Sequence, residues 1–135
     1  MKKIILLFCL FNFSNYAFSQ AWVGDTLSKI KSENTLGVFD VNPKDTGFFY
    51  ACSDSITKSK YVFLLDINLV CYTTIVVPNN RKICKQWVES LKLDKDWVKI
   101  DNKKWAILRV DGMIISCILT KNSDKQPILI FSKVN

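Results

Sequence analysis

The sequence predicts an α+β domain with two helices and about seven mainly antiparallel strands, in the order α-β-β-β-α-β-β-β-β. Two stretches rich in β-branched and aromatic residues predict the strands, and a helical period of apolar residues separates them. No linker or low-complexity tract divides the chain, and about 116 residues bury enough surface to fold without a metal or a disulfide. We therefore expect a single domain over residues 20–135.

The first half of this domain is predicted to contain one short helix and three strands. Asp25 or Thr26 can cap a helix over residues 24–33, which places Leu27 and Ile30 on one face. After a loop rich in turn residues, the strand-like segments are 47–53, 60–65 and 69–77.

The second half begins with the clearest amphipathic helix, from Asn79 or Asn80 to Leu93. Its apolar residues recur at spacings of three and four, which is typical of a helix that packs on a sheet. We predict that Trp87, on this apolar stripe, lies in the core between the helix and the sheet. Strands follow at about 97–100, 104–110, 113–120 and 127–133. The similar order of the two halves also suggests a duplicated helix-plus-sheet unit.

Asp111-Gly112 is the strongest hairpin signal and predicts a two-residue loop. With that loop, Ala106 faces Cys117 on an apolar face that must be core. The partner-contact residues that we predict on the opposite face are Trp105, Ile107, Arg109, Ile114 and Ile118. Either another element covers that face, or it is a contact patch for a partner or for self-association, because Trp and Arg are typical of binding hot spots.

The first nineteen residues are typical of a secretory signal peptide. Two lysines precede the apolar run 4–11, and Ala17 and Ser19 are small residues at the positions that signal peptidase reads. We expect cleavage before Gln20 and export to the periplasm, to the cell surface or out of the cell.

Two alternative membrane attachments are not expected. Lipidation of Cys9 is disfavoured because Phe8 stands where lipoprotein processing requires a small residue. No later apolar run approaches the ~20 residues of a spanning helix, so the mature chain should have no transmembrane segment.

Composition excludes several classes of function. The formal charge is +7, but lysines and arginines are scattered, so nucleic acid is not an expected partner. The chain has no histidine, the commonest general base and zinc ligand, and no Gly-rich phosphate loop. Asp94, Asp96 and Asp101 do not have calcium-loop spacing. We expect neither a metal nor a cofactor nor an enzyme; a pocket gathering these carboxylates would instead indicate catalysis by carboxylate, lysine or cysteine.

Four cysteines remain after the signal peptide, and an exported protein can oxidise them. Cys52 and Cys71 lie two strands apart in a meander, near ~9.6 Å, which is beyond disulfide reach. Cys84 lies on the apolar helix stripe, so a disulfide would join it to Cys71 or to Cys117. The other expectation is four buried free thiols.

A Gly-Asp-Thr helix start at 24–26, a Tyr-x-Phe strand at 61–63, a strand ending at Pro78 and the 105–112 hairpin follow one another. This order resembles small exported bacterial proteins of unknown function. The helix-then-sheet halves also resemble β-lactamase inhibitor proteins and related outer-membrane assembly lipoproteins. The resemblance implies a binding module, and no site residues carry over from it. Because the chain is small and has few catalytic groups, we expect a non-enzymatic binding or inhibitory module for a protein or glycan. The alternative is a structural or assembly accessory protein of the envelope.

Overall fold

The computed structural model describes residues 21–34, 44–45, 48–53 and 57–135, and the predicted signal peptide lies outside them. The described residues form two helices and eight strands. Their bounds are α1 Leu27–Asn34, β1 Lys44–Asp45, β2 Phe49–Ser53, β3 Lys60–Leu65, β4 Cys71–Val77, α2 Arg81–Leu93, β5 Trp97–Asp101, β6 Lys104–Leu108, β7 Ile114–Lys121 and β8 Pro127–Val134. The predicted fold class and element order are confirmed, with the short β1 added.

All eight strands belong to one antiparallel sheet with the order β1-β2-β3-β4-β8-β7-β6-β5. Each half is a helix followed by four strands that run from one edge of the sheet to its centre. The two halves meet where β4 pairs with β8, with Ile75 opposite Ile130 and Thr74 opposite Phe131. The halves therefore share one sheet and one core.

The core lies between the two helices and one face of the sheet. Asn80 begins α2, because its Oδ1 accepts a hydrogen bond from the Ile83 N–H at 2.9 Å. One turn further, the ring of Trp87 lies 6.3 Å from Tyr61 and 5.8 Å from Phe131, between centroids. Trp87 is only 1% exposed, so its predicted position in the core is confirmed.

The segment 21–26 crosses the helix side of the sheet before α1 starts. The Thr74 hydroxyl donates to the Ala21 carbonyl at 2.6 Å, and the Gly24 N–H donates to the Cys71 carbonyl at 2.7 Å. Thr26 caps α1, since its Oγ1 accepts from the Lys29 N–H at 3.3 Å. Because the Ala21 side chain is also buried, this segment is part of the core rather than a loose N-terminal arm.

The β6–β7 hairpin has a three-residue loop, not the predicted loop of two. The Arg109 N–H donates to the Met113 carbonyl at 2.8 Å, and the Gly112 N–H donates to the Arg109 carbonyl at 3.0 Å. Gly112 has φ of 85°, the left-handed conformation that follows a type I turn in three-residue hairpins. The pairing is therefore shifted by one residue.

Because of this shift, each side chain of β6 lies on the face of the sheet opposite to the predicted one. Trp105 pairs with Cys117 and Ile107 pairs with Ile115, whereas the predicted register paired Ala106 with Cys117. A slip of one residue exchanges the two faces of a strand, since side chains alternate with a period of two. β6 thus contributes its tryptophan to the core.

Candidate interaction surface

The predicted contact patch on the β6–β7 hairpin is not one surface. Trp105 and Ile107 are 1% and 7% exposed and face the helices, so the prediction that they contact a partner is wrong. Ile114 and Ile118 lie on the opposite face of the sheet and are 43% and 39% exposed. The corrected register separates these two pairs, because the prediction had combined one face of β6 with the other face of β7.

Arg109, the fifth predicted contact residue, joins the hairpin to the N-terminal segment. Its Nη1 donates to the Val23 carbonyl at 3.1 Å, and its Nη2 lies 3.0 Å from the Asp111 carboxylate. Gly24 lies beside the guanidinium with φ of 92°, and a Cβ there would meet the Arg109 Nη1. Arg109 is therefore a positioning residue for the hairpin.

Large apolar side chains are exposed at the end of the sheet that carries the β3–β4 and β6–β7 turns. Ile67 and Val110 are at these turns and are 91% and 110% exposed; Phe48, just before β2, is 74% exposed. The Leu65 N–H donates to the Phe48 carbonyl at 2.8 Å, which places Phe48 beside the end of β3. We call this end of the sheet the apolar tip, formed by Phe48, Ile67, Leu69, Leu108, Val110 and Ile114.

The register places the two turns at one end of the sheet. β3 and β6 end there, and β4 and β7 begin there, on strands that all pair antiparallel. The midpoints of the two hairpins are three strand positions apart, about 14 Å at ~4.8 Å for each strand. Side chains at both turns are thus close enough to contact one partner.

An aspartate side chain shapes each turn. Asp66 Oδ1 accepts from the N–H groups of Asn68 at 2.8 Å and Val70 at 3.0 Å, and Asp111 Oδ1 accepts from the Met113 N–H at 3.0 Å. Such side-chain to backbone bonds replace the ladder bonds that a turn cannot make. The apolar side chains at the turns are therefore carried on a defined backbone.

The N-terminal segment connects the two turns. It contacts the β3–β4 turn through the Leu27 N–H, which donates to the Leu69 carbonyl at 2.8 Å. It contacts the β6–β7 turn through the Val23 carbonyl, which accepts from Arg109. Because one buried segment binds both turns, the spacing of Ile67 and Val110 is set by the fold.

Cys71, Cys84 and Cys117 are free and buried, so neither of the two possible disulfides of Cys84, to Cys71 or to Cys117, is formed in the structure. Cys71 begins β4, and α2 starts beyond the far end of that strand, roughly 20 Å away at ~3.3 Å for each residue. Cys117 pairs with Phe131 in the sheet, and the ring of Phe131 packs against Trp87. Trp87 lies about one turn further along α2 than Cys84 does.

The buried thiols have the chemistry of small apolar groups. Desolvation by burial raises the pKa of Cys71 to about 11, although its hydrogen bond with Thr74 lowers it, and burial also raises the pKa of Cys84 and Cys117. A thiol with a raised pKa stays protonated at neutral pH and is a poor nucleophile. These cysteines are therefore packing residues.

The aspartates after α2 shape turns in the same way. Asp94 Oδ1 accepts from the Asp96 N–H at 2.9 Å, and Asp101 Oδ1 accepts from the Lys103 N–H at 2.8 Å. In the part of the chain that the structure describes, no group of three or more His, Cys, Asp or Glu side chains could hold a metal ion. Over the same residues, no helix is long and apolar enough to cross a membrane.

Comparison with known proteins returns no relative of this chain: no family model, no curated protein and no solved structure matches it. The expected likeness to β-lactamase inhibitor proteins therefore stays a prediction. The apolar tip is the feature of the described surface whose chemistry points most directly to a function.

Proposed function

We propose that this chain is an exported, non-enzymatic binding module that contacts a protein partner through the apolar tip. The observation that carries the proposal is the exposure of Phe48, Ile67 and Val110 at one end of the sheet, on turns that a buried segment holds together. Binding residues are commonly found on loops that a rigid scaffold positions. Preorganised loops also lose less conformational entropy when they bind, which favours affinity.

The side chains at the tip favour a protein over the other kinds of partner. They are mainly aliphatic, which suits an apolar groove and offers a glycan few hydrogen-bonding groups. Asp66 and Asp111 are exposed beside the apolar side chains. Their charge opposes contact with anionic lipid or with nucleic acid, both of which attract basic surfaces.

Photo-crosslinking tests the tip directly. A photoreactive residue in place of Ile67 or Val110 should crosslink the partner in cells that export the protein, whereas the same residue in place of Lys85, exposed on α2, should not. Excess Ile67→Ser/Val110→Ser protein should fail to compete with the crosslink, and wild type should compete.

Both substitutions should leave the free energy of unfolding within about 0.5 kcal/mol of wild type, because these side chains are already in solvent. Equal crosslinking from Lys85 and from the tip would contradict the proposal. So would a double variant that competes as well as wild type does.

Export is the second part of the proposal, and the packing of the N-terminal segment supports it. Ala21 and Val23 are buried, 3% and 0% exposed, so the domain needs the chain from Ala21 onward. A cleavage before Gln20 removes the apolar run and leaves those core residues in place.

Mass spectrometry of the exported protein should therefore give a mass for residues 20–135. Ala17→Phe should block processing and leave the precursor in the membrane fraction, because signal peptidase requires a small residue there. Ala21→Gly, just beyond the cleavage point, is the matched control and should be processed normally. An exported protein that retains residues 1–19, or that is acylated at Cys9, would contradict this part of the proposal.

A further inference from the structure

The face of the sheet that points away from both helices carries two parallel rows of side chains. One row consists of branched apolar residues at matching positions of four neighbouring strands. Strand pairing places Val62 beside Ile75, Ile75 beside Ile130, and Ile130 beside Ile118. These side chains are half-buried or exposed, and they form a ridge across the sheet. We call them the branched row.

A second row runs beside the branched row, two residues nearer the apolar tip on each strand. It consists of small residues: Thr73 pairs with Ser132, Ser132 with Ser116, and Ser116 with Ala106. The hydroxyls of Thr73 and Ser132 hydrogen-bond each other at 3.1 Å, so they can lose water without losing a partner. This small row is a shallow groove beside the ridge.

We infer that a second copy of this chain packs on this face, with the branched row of each copy seated on the small row of the other. A two-fold axis that runs across the strands, between the two rows, exchanges them on the three strands that carry both rows, β4, β8 and β7. Ile75, Ile130 and Ile118 of one copy then lie over Thr73, Ser132 and Ser116 of its partner. A self-complementary surface of this kind is the requirement for a two-fold dimer.

The size of the face agrees with a stable dimer. The sheet is eight strands wide, at ~4.8 Å for each strand, and about five residues long, at ~3.3 Å for each residue. The face of each copy therefore measures roughly 650 Å². Two copies would bury about 1,300 Å², above the ~1,000 Å² that a specific interface needs. Patches of more than a few hundred Å² are seldom left in water.

Charge and sheet geometry favour the same arrangement. Among the strand residues whose side chains the structure describes, those on this face include three charged ones, Lys60, Lys104 and Asp101; each is the first or last residue of its strand, and Asp101 stands opposite Lys104. The axis makes the strands of the two sheets nearly antiparallel, as in aligned sandwiches whose twisted sheets cross at about 30°. The helices face outward, and the two apolar tips point in opposite directions.

The mature chain should sediment as a dimer, and Ser116→Lys should weaken dimerisation by at least about 100-fold, because each copy would bury an unpaired ammonium group. Ser28→Lys, the same change on the exposed side of α1, should leave the dimer intact, and so should Ser116→Ala. Analytical ultracentrifugation over a concentration series measures the dimer dissociation constants of wild type and of the three variants. The unfolding midpoint should rise with concentration for wild type and stay constant for Ser116→Lys.

Ile118→Lys gives the same test at a more exposed position if Ser116→Lys does not fold. A wild-type chain that is monomeric at every concentration overturns the inference. A dimer that survives both lysine variants but is lost in Val110→Ser also overturns it, because the tip is then the dimer contact.

Discussion

Trp87→Ala should lower the free energy of unfolding by about 3–5 kcal/mol, the usual effect of truncating a large buried side chain. Trp87 is 1% exposed, and its ring touches Tyr61 from the first half of the sheet and Phe131 from the central strand β8. The substitution would leave a cavity at the junction between α2 and both halves. Chemical denaturation of the domain over residues 20–135 measures the change.

Lys85→Ala is the matched control, since Lys85 is exposed on the same helix and its loss should change stability by less than about 0.5 kcal/mol. If Trp87→Ala cost under about 1 kcal/mol, the helix would have to present a different face to the sheet.

Trp105→Ala should also destabilise the protein by about 3–5 kcal/mol, because Trp105 is 1% exposed beside Cys117. Trp105→Phe should cost less than half as much. The Trp105 Nε1–H is buried without a hydrogen-bond acceptor among the described residues, so phenylalanine removes an unsatisfied polar group and keeps an aromatic ring. Denaturation curves of the two variants, compared with wild type, measure the difference.

Leu108→Ala, on the same strand and 69% exposed, controls for the loss of an apolar side chain from β6 and should be nearly neutral. The opposite result, with Leu108→Ala severe and Trp105→Ala neutral, would restore the two-residue loop and the register that it implies. The pair of variants therefore measures which face of β6 is core.

The elements themselves were predictable because their signals are local. The period of α2 and its Asn80 cap lie within about fifteen residues, and the alternation of each strand lies within eight. The stripe that carries Trp87 identified the buried face of α2 for the same reason. These predictions depend on the side chains of one element and on its neighbouring turns.

The hairpin register was not predictable from Asp111-Gly112 alone. This pair suits a two-residue loop with Gly at its second position, and it equally suits a type I turn followed by a left-handed Gly112. The choice between them decides whether Trp105 or Ala106 lies against the helices. Burial of the larger ring is a property of the assembled core, which also contains Phe131 and Trp97.

The apolar tip was recognised only in part, through Ile114. Asp66-Ile67-Asn68 and Val110-Asp111-Gly112 are ordinary turns in the sequence, about forty residues apart. They become neighbours because β4 pairs with β8, so that the two halves of the chain share one sheet. The pairing of distant strands has no local signal.

The sequence by itself determined the α+β class, the order and approximate bounds of its elements, and the buried stripe of α2, because hydrophobic periodicity and capping act over a few residues. Only the tertiary structure decided the sheet order, the loop length that buries Trp105, the separation of the cysteines, and the contacts of Val23 and Leu27 with two distant turns. Each of these depends on how separate elements pack together, and that packing is settled only when the whole core is filled.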